Sequence, residues 1–214
     1  MKNKPKKFIT ISTDKAVKPV SAMGMTKALQ EKIILSDDLT KDKTKFCCVR
    51  YGNVLGSRGS VIPLWNSKIE KNEPLPVTHP DMTRFLLTLS QAIDLVFYSL
   101  KHGKGGEIFV KKAPSATMVN LAKAYAELKT GKKDYPLKYV GIRAGEKIDE
   151  VLVSHEEMRR AHEKKDHFVI ERESNFDVTS LKKSLKTIEY DSGSVSHLSV
   201  KELKEIMKKL NWIL

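Results

Sequence analysis

Phe8-Ile9-Thr10-Ile11, the polar tip Ser12-Thr13-Asp14-Lys15 that follows it, and the later run Phe46-Cys47-Cys48-Val49 together decide the fold. Both apolar runs lack strict alternation, the pattern of strands covered on two faces. Between them Met25, Leu29, Ile33 and Ile34 recur at helical spacing, which predicts a helix over about residues 22–37. Strand, helix and strand in that order predict a right-handed crossover and an open α/β sheet. The tip at Ser12–Lys15 then lies at the carboxyl end of a strand, where such sheets collect ligands.

Outward from this unit, Gly52, Gly56 and Gly59 punctuate a loop that leads into a helix around residues 62–70. Thr83–Leu87 reads as a short strand, and Ser90 as the cap of a helix that runs to about Lys101 and stops at Gly103. Glu107–Val110 is another strand, and Thr117–Lys129 another helix, closed by Gly131. Two capping boxes, Ser154 with Glu157 and Ser199 with Glu202, announce the last helices. Residues 164–196 are polar and aperiodic and read as mostly loop. One expected feature is missing: no glycine-rich turn joins a strand to a helix, as a chain binding a dinucleotide by itself would need. On this ground the 214 residues read as the back portion of a larger α/β protein.

Composition narrows the function classes. Hydrophobic residues at 40% and charged residues at 30% suit a folded, soluble chain of one large or two small domains. No apolar run approaches the ~20 residues of a membrane span, and the basic start is not followed by a signal-peptide core, so the expected location is cytoplasmic. Cys47 and Cys48 are adjacent in an apolar run and read as small buried residues. Thirty-nine basic against 26 acidic residues give a net charge of +13, which suits nucleic acid, anionic lipid or a phosphorylated small molecule. The lysines are dispersed and aromatics are only 7%, which argues against a nucleic-acid surface with stacking platforms. His155 and His162, seven apart on a predicted helix, are too far apart to share a metal, and no metal site is expected. The stripe Leu198, Leu203, Ile206 and Leu210 in the last helix reads as core or subunit contact.

Chemistry concentrates at Thr13-Asp14-Lys15 and the following Met23-Gly24-Met25-Thr26-Lys27. An adjacent acid and amine usually form an ordinary ion pair. To trade protons with a substrate near neutrality, each must move by about 3 pH units, on the order of 4 kcal/mol apiece. Only a dry pocket with a strong local field does that.

These residues carry a resemblance. Ser12–Val17, Met23-xxx-Lys27, Arg50-Tyr51-Gly52-Asn53-Val54, Ser57-Arg58-Gly59-Ser60, Met82-Thr83-Arg84-Phe85 and Arg143-Ala144-Gly145-Glu146-Lys147 occur in one order. Together they resemble the CapD/CapE-like polysaccharide biosynthesis proteins, a branch of the extended short-chain dehydrogenase/reductases that includes inverting UDP-N-acetylglucosamine 4,6-dehydratases. The resemblance implies the C-terminal part of a Rossmann-type doubly wound parallel sheet plus a small α+β substrate-binding domain. Residues 1–53 and 83–112 would belong to the sheet domain, and 54–82 and 113–214 to the substrate domain.

It also implies roles. NADP or NAD would take hydride from C4 of a UDP-sugar and return it to C6. Lys15 would remove the C5 proton, Asp14 would help the C6 hydroxyl leave, and Thr13 would bond the 4-oxygen. Lys27 would hold the nicotinamide ribose, with Ser12, Tyr51 and Asn53 also at the cofactor. Asn53, Arg58, Ser60, Arg84, Arg143 and Glu146 would hold the UDP-sugar, although each arginine taken alone reads as surface charge. The wider superfamily has tyrosine where Met23 stands, and a thioether cannot move a proton. That departure favours the inverting dehydratase branch, although methionine there also suits plain packing. A UDP-glucose or UDP-galactose 4-epimerase is the alternative, but it has no use for a C5 base. Relatives of this kind imply a homo-oligomer when complete, in capsule or lipopolysaccharide synthesis.

Overall fold

A computed structural model describes residues 5–36, 43–57, 59–172 and 188–210. In chain order, strand β1 (Lys7–Thr13) leads into helix α1 (Ala22–Ile34), β2 (Lys45–Tyr51) and the short β3 (Asn53–Val54). Helix α2 (Val61–Glu70), β4 (Leu75–Val77), β5 (Thr83–Leu87) and helix α3 (Leu89–His102) follow. Then come β6 (Ile108–Lys111), β7 (Ser115–Thr117), helix α4 (Met118–Thr130) and β8 (Leu137–Tyr139). The chain continues through β9 (Val151–Val153), the one-turn α5 (His155–Met158), β10 (Ala161–Glu163), β11 (His167–Ile170), β12 (Tyr190–Asp191) and helix α6 (Val200–Lys209).

The described chain divides into two units. The first takes the residues up to Gly52, Leu87–Ala113 and Val151–Asp191. Its sheet has the order β1-β2-β6-β11-β10, with β1, β2 and β6 parallel and β11 and β10 antiparallel at the far edge. The expected α/β class and parallel sheet are therefore present. Cys47, Val49, Leu95 and Phe109 form a buried cluster where α3 covers one face. Burial pushes the Cys47 thiol up to about 12, helped by the neighbouring Glu107 carboxylate, and burial raises Cys48 as well. Both thiols should therefore resist a thiol-exchange reagent in the native chain and react fully only after denaturation. Release of the reagent's chromophore before unfolding would contradict this burial.

The second unit takes Asn53–Leu86, Pro114–Glu150 and the residues from Ser192 on. Its core gathers Trp65, Leu75, Val77, Leu86, Tyr125, Leu203 and Met207. The indole of Trp65 donates to the Pro76 carbonyl at 2.8 Å, so this buried side chain leaves no unmet donor.

Several local expectations change. Thr88, not Ser90, caps α3, because its hydroxyl accepts from the Gln91 amide (3.2 Å) while the Gln91 side chain accepts from Thr88 N (2.8 Å). Gly103 ends α3 at φ −60, so it is not there for a left-handed turn. A Cβ on it would meet Cys47 Sγ and Ser99 O at 2.7 Å, so the requirement is space. Gly131, by contrast, does close α4 in the left-handed region at φ 72. Within the stretch read as loop, β11 joins the sheet through β6, so residues 151–191 pack with the first unit rather than with the rest of 113–214. Residues 173–187 of that stretch lie outside the described residues. His155 opens α5 but His162 lies on β10, so the two do not share a helix. In α6 the buried pair is Leu203 and Met207, one turn apart.

Candidate functional site

Thr13 is the last residue of β1, and the chain turns there into a single 3-10 turn over Asp14–Ala16. The turn is fixed by the tip's own side chains. Thr13 Oγ1 accepts from Lys15 N at 3.4 Å and donates to Asp14 Oδ1 at 2.8 Å. Lys15 Nζ donates to the same Oδ1 at 3.0 Å. Asp14 is fully buried, whereas the Lys15 side chain is 29% exposed. Asp14 Oδ2 and the neighbouring Ser12 hydroxyl are buried with no hydrogen-bond partner among the described residues. One carboxylate oxygen is thus held by an ammonium and a hydroxyl, and the other is buried with its hydrogen-bonding capacity unmet among the described residues. Such a pair can pass a proton within itself and onward.

Helix α1 comes unusually close to this turn. Ser21 caps it by accepting from Gly24 N at 3.1 Å. A Cβ at Gly24 would sit 2.4 Å from the Lys15 carbonyl oxygen, so only glycine permits the approach. Met23 is half-exposed at 48%. Lys27 Nζ donates to Ile11 O at 3.1 Å and to Gln30 Oε1 at 3.0 Å. The only buried residues of α1 are Gly24 and Glu31, while Met25, Leu29 and Ile33 are exposed. The helix therefore seats itself with polar groups rather than with an apolar stripe.

Its main anchor is Arg50, the charged residue inside the apolar strand β2. Arg50 Nε and Nη2 bind Glu31 at 3.0 and 2.5 Å, Nη1 and Nη2 bind Glu157 at 2.9 Å each, and Nη1 also reaches Leu152 O at 2.9 Å. Burial pushes the Glu157 carboxyl up, but Arg50 outweighs it and holds the group below its ordinary value. Tyr51, next along β2, is half-buried and its phenol is raised by that burial. The sequence pattern marks Glu157 only as a cap, and it does not mark Gly24, Gln30, Glu31 and Arg50 as parts of this assembly. An arginine flanked by buried strand residues was the available signal.

The second unit carries the residues expected at a UDP-sugar. Asn53 Oδ1 and Ser60 Oγ are buried without a hydrogen-bond partner among the described residues, and Ser60 begins α2 without a side-chain cap. Arg84 is only 11% exposed, with Nη1 on Thr83 O (2.7 Å) and Ile148 O (3.0 Å) and Nη2 on Lys147 O (3.0 Å). It braces the loop that carries Arg143 and Glu146. Those two lie side by side, with Arg143 Nη1 3.9 Å from Glu146 Oε1 and the Arg143 side chain 68% exposed. Arg58 lies outside the described residues.

Comparison with known proteins gives the context. A protein named UDP-glucose 4-epimerase from Rickettsia bellii (strain OSU 85-389) is 41% identical over 219 residues, covering 99% of this chain and 64% of its own length. Its namesake from Rickettsia rickettsii (strain Sheila Smith) is 40% identical over the same span. This chain thus spans 64% of the length of these curated relatives. Among solved structures, Pen from Bacillus thuringiensis superposes with a TM-score of 0.82 at 35% identity, covering 95% of this chain and 62% of that one. A dTDP-glucose 4,6-dehydratase from Bacillus anthracis, solved in complex with NAD, shares the fold at a TM-score of 0.56 and 19% identity, over 65% of this chain and 51% of its own. The sequence profile described as "Polysaccharide biosynthesis protein" matches residues 1–172, and with these relatives it places the chain in the polysaccharide biosynthesis protein family.

Proposed function

We propose that this chain carries the acid–base group and sugar-binding elements of a nucleotide-sugar 4,6-dehydratase, acting on UDP-N-acetylglucosamine with inversion at C5. The observation that carries the reading is Asp14: fully buried at a strand's carboxyl end, with one oxygen bonded to Lys15 and the other without a partner among the described residues. Transfer of a proton from Lys15 Nζ to Asp14 Oδ1 converts the ion pair to a neutral amine and a neutral acid. The amine then takes the C5 proton, which a 4-keto group has acidified, and the acid protonates the departing C6 hydroxyl. The C5–H and C6–O bonds break, a C5=C6 bond forms, water leaves, and the ion pair is restored. Thr13, hydrogen-bonded to the pair, would reach the sugar's 4-oxygen. Reprotonation at C5 from the opposite face would invert that centre.

A nicotinamide dinucleotide, when bound, supplies hydride removal and return. Lys27, the Ser12 hydroxyl, Tyr51 and Asn53 would hold its nicotinamide-ribose end, and NAD or NADP would serve equally there. The sequence holds no strand, glycine-rich turn and helix for its pyrophosphate. The 214 residues alone should therefore bind it weakly and turn over slowly. For the other ligand, Arg143 would bond the diphosphate, Glu146 a ribose hydroxyl, and Arg58, Ser60 and Asn53 the sugar-diphosphate. Arg84 would serve by holding their loop in shape.

The names of the Rickettsia relatives favour a second reading, UDP-glucose 4-epimerase. Long incubation in deuterium oxide with NAD or NADP, and with UDP-N-acetylglucosamine or UDP-glucose in turn, separates the two by proton NMR. Dehydration places deuterium at C5 of a 4-keto-6-deoxy sugar, and Lys15→Met lowers that signal roughly 10²–10⁴-fold. Formation of UDP-galactose with C5 still protonated would overturn the dehydratase reading in favour of the epimerase.

A further inference from the structure

We infer that Gln30 is a positioning residue for Lys27, fixing its ammonium group so that a single N–H remains for a ligand. An ammonium has three N–H donors. In this structure one goes to the Ile11 carbonyl at 3.1 Å and one to Gln30 Oε1 at 3.0 Å. Gln30 is itself held from the sheet: its Nε2 donates to Ile11 O at 3.3 Å and to the hydroxyl of buried Thr10. The amide therefore works in both directions, anchored to β1 by its donor and holding Lys27 by its acceptor. A lysine stem is otherwise free to rotate, and ordering it costs conformational entropy. Gln30 sits three residues after Lys27, so one helical turn carries both the working group and its clamp. Among the described contacts, Gln30 is the only residue of α1 whose side chain bonds Lys27, the other bond going to the Ile11 carbonyl of β1.

This inference deepens the proposed function, in which Lys27 binds the nicotinamide ribose, but its structural half is tested independently. The full 214-residue chain, labelled with nitrogen-15 lysine, is followed by NMR of the side-chain ammonium groups, with Lys27→Arg giving the assignment. In the parent chain Lys27 should show a protected, slowly exchanging ammonium signal. Gln30→Leu should abolish it. Gln30→Glu loses the amide donor but keeps an acceptor for Lys27, and its carboxylate can accept from the Thr10 hydroxyl in place of donating to it, so it should retain the signal. A merely structural role for Gln30 would not give this split between the two variants. Fast exchange of Lys27 in the parent chain, or an unchanged signal in Gln30→Leu, would overturn the inference. In parallel, the dissociation constant for NAD, read by fluorescence of the reduced form in competition, should rise about tenfold in Gln30→Leu. If the ammonium signals behave as expected but NAD affinity is the same in parent and variant, the clamp stands and the ribose assignment of Lys27 fails.

Discussion

Replacing Arg50 with leucine lowers the melting temperature at neutral pH by about 10 °C, the effect of losing roughly 3–5 kcal/mol in a chain of this size. Leucine fills much of the volume but removes five hydrogen bonds, four to carboxylates and one to the Leu152 carbonyl. Glu31 and Glu157 are left facing each other in a buried site. The pH dependence fixes the mechanism. In the parent chain the folded-state value of Glu157 is depressed, so its contribution is present above the ordinary carboxylate range and is lost as pH falls through the folded value. In the leucine variant Glu157 keeps the Ser154 amide and the Arg160 charge, but without Arg50 its burial and the repulsion of Glu31 raise it relative to the parent. Stability of the variant should therefore recover on acidification, and the gap to the parent should narrow between about pH 7 and pH 5. Thermal melts across that range are the measurement. A gap independent of pH would mean the loss comes from packing and not from orphaned charge.

Gly24→Ala should destabilise the chain by about 1–3 kcal/mol, although alanine is ordinarily the better helix residue by 0.5–1 kcal/mol. The added methyl would lie 2.4 Å from the Lys15 carbonyl oxygen and 3.2 Å from Pro19 Cβ. Backbone oxygen cannot swing aside as a flexible side chain can, so α1 must lift from the 3-10 turn. That turn carries Asp14 and Lys15, and the lifted helix carries Lys27, so on the proposed dehydratase function deuterium incorporation at sugar C5 should fall more steeply than stability does. Melting temperature and C5 exchange measured on one preparation decide the point. A variant that melts higher than the parent would show that the helix does not approach the turn so closely.

Much of the architecture was legible because it rests on local patterns. The apolar runs of β1 and β2, the helical spacing of α1 and the Ser154 and Ser199 capping boxes need only neighbours a few residues away. What escaped depends on distant partners. β11 looks like polar loop until β6 supplies its hydrogen bonds. Thr88 caps α3 because Gln91 replies to it, whereas Ser90 looked equally suitable by type. The site divides the same way. Asp14 and Lys15 are adjacent in sequence and were found together. Arg50 meets Glu31 across 19 residues and Glu157 across 107, distances over which no spacing rule operates. The resemblance implies Arg84 at the UDP-sugar, whereas by type alone it reads as surface charge; in the structure three of its bonds go to carbonyls of its own unit, which neither reading contains.

The threading of the two units has a consequence for biosynthesis. Each is assembled from three separate stretches, and the polypeptide passes back and forth between them. β11 completes the first sheet only when residue 170 is available, and Leu203 and Met207 fill the second core later still. Neither unit can close on the ribosome from its early stretches alone, as a tandem domain commonly does. Each waits for the last of its three stretches, and its incomplete apolar surface stays exposed until that stretch has been made.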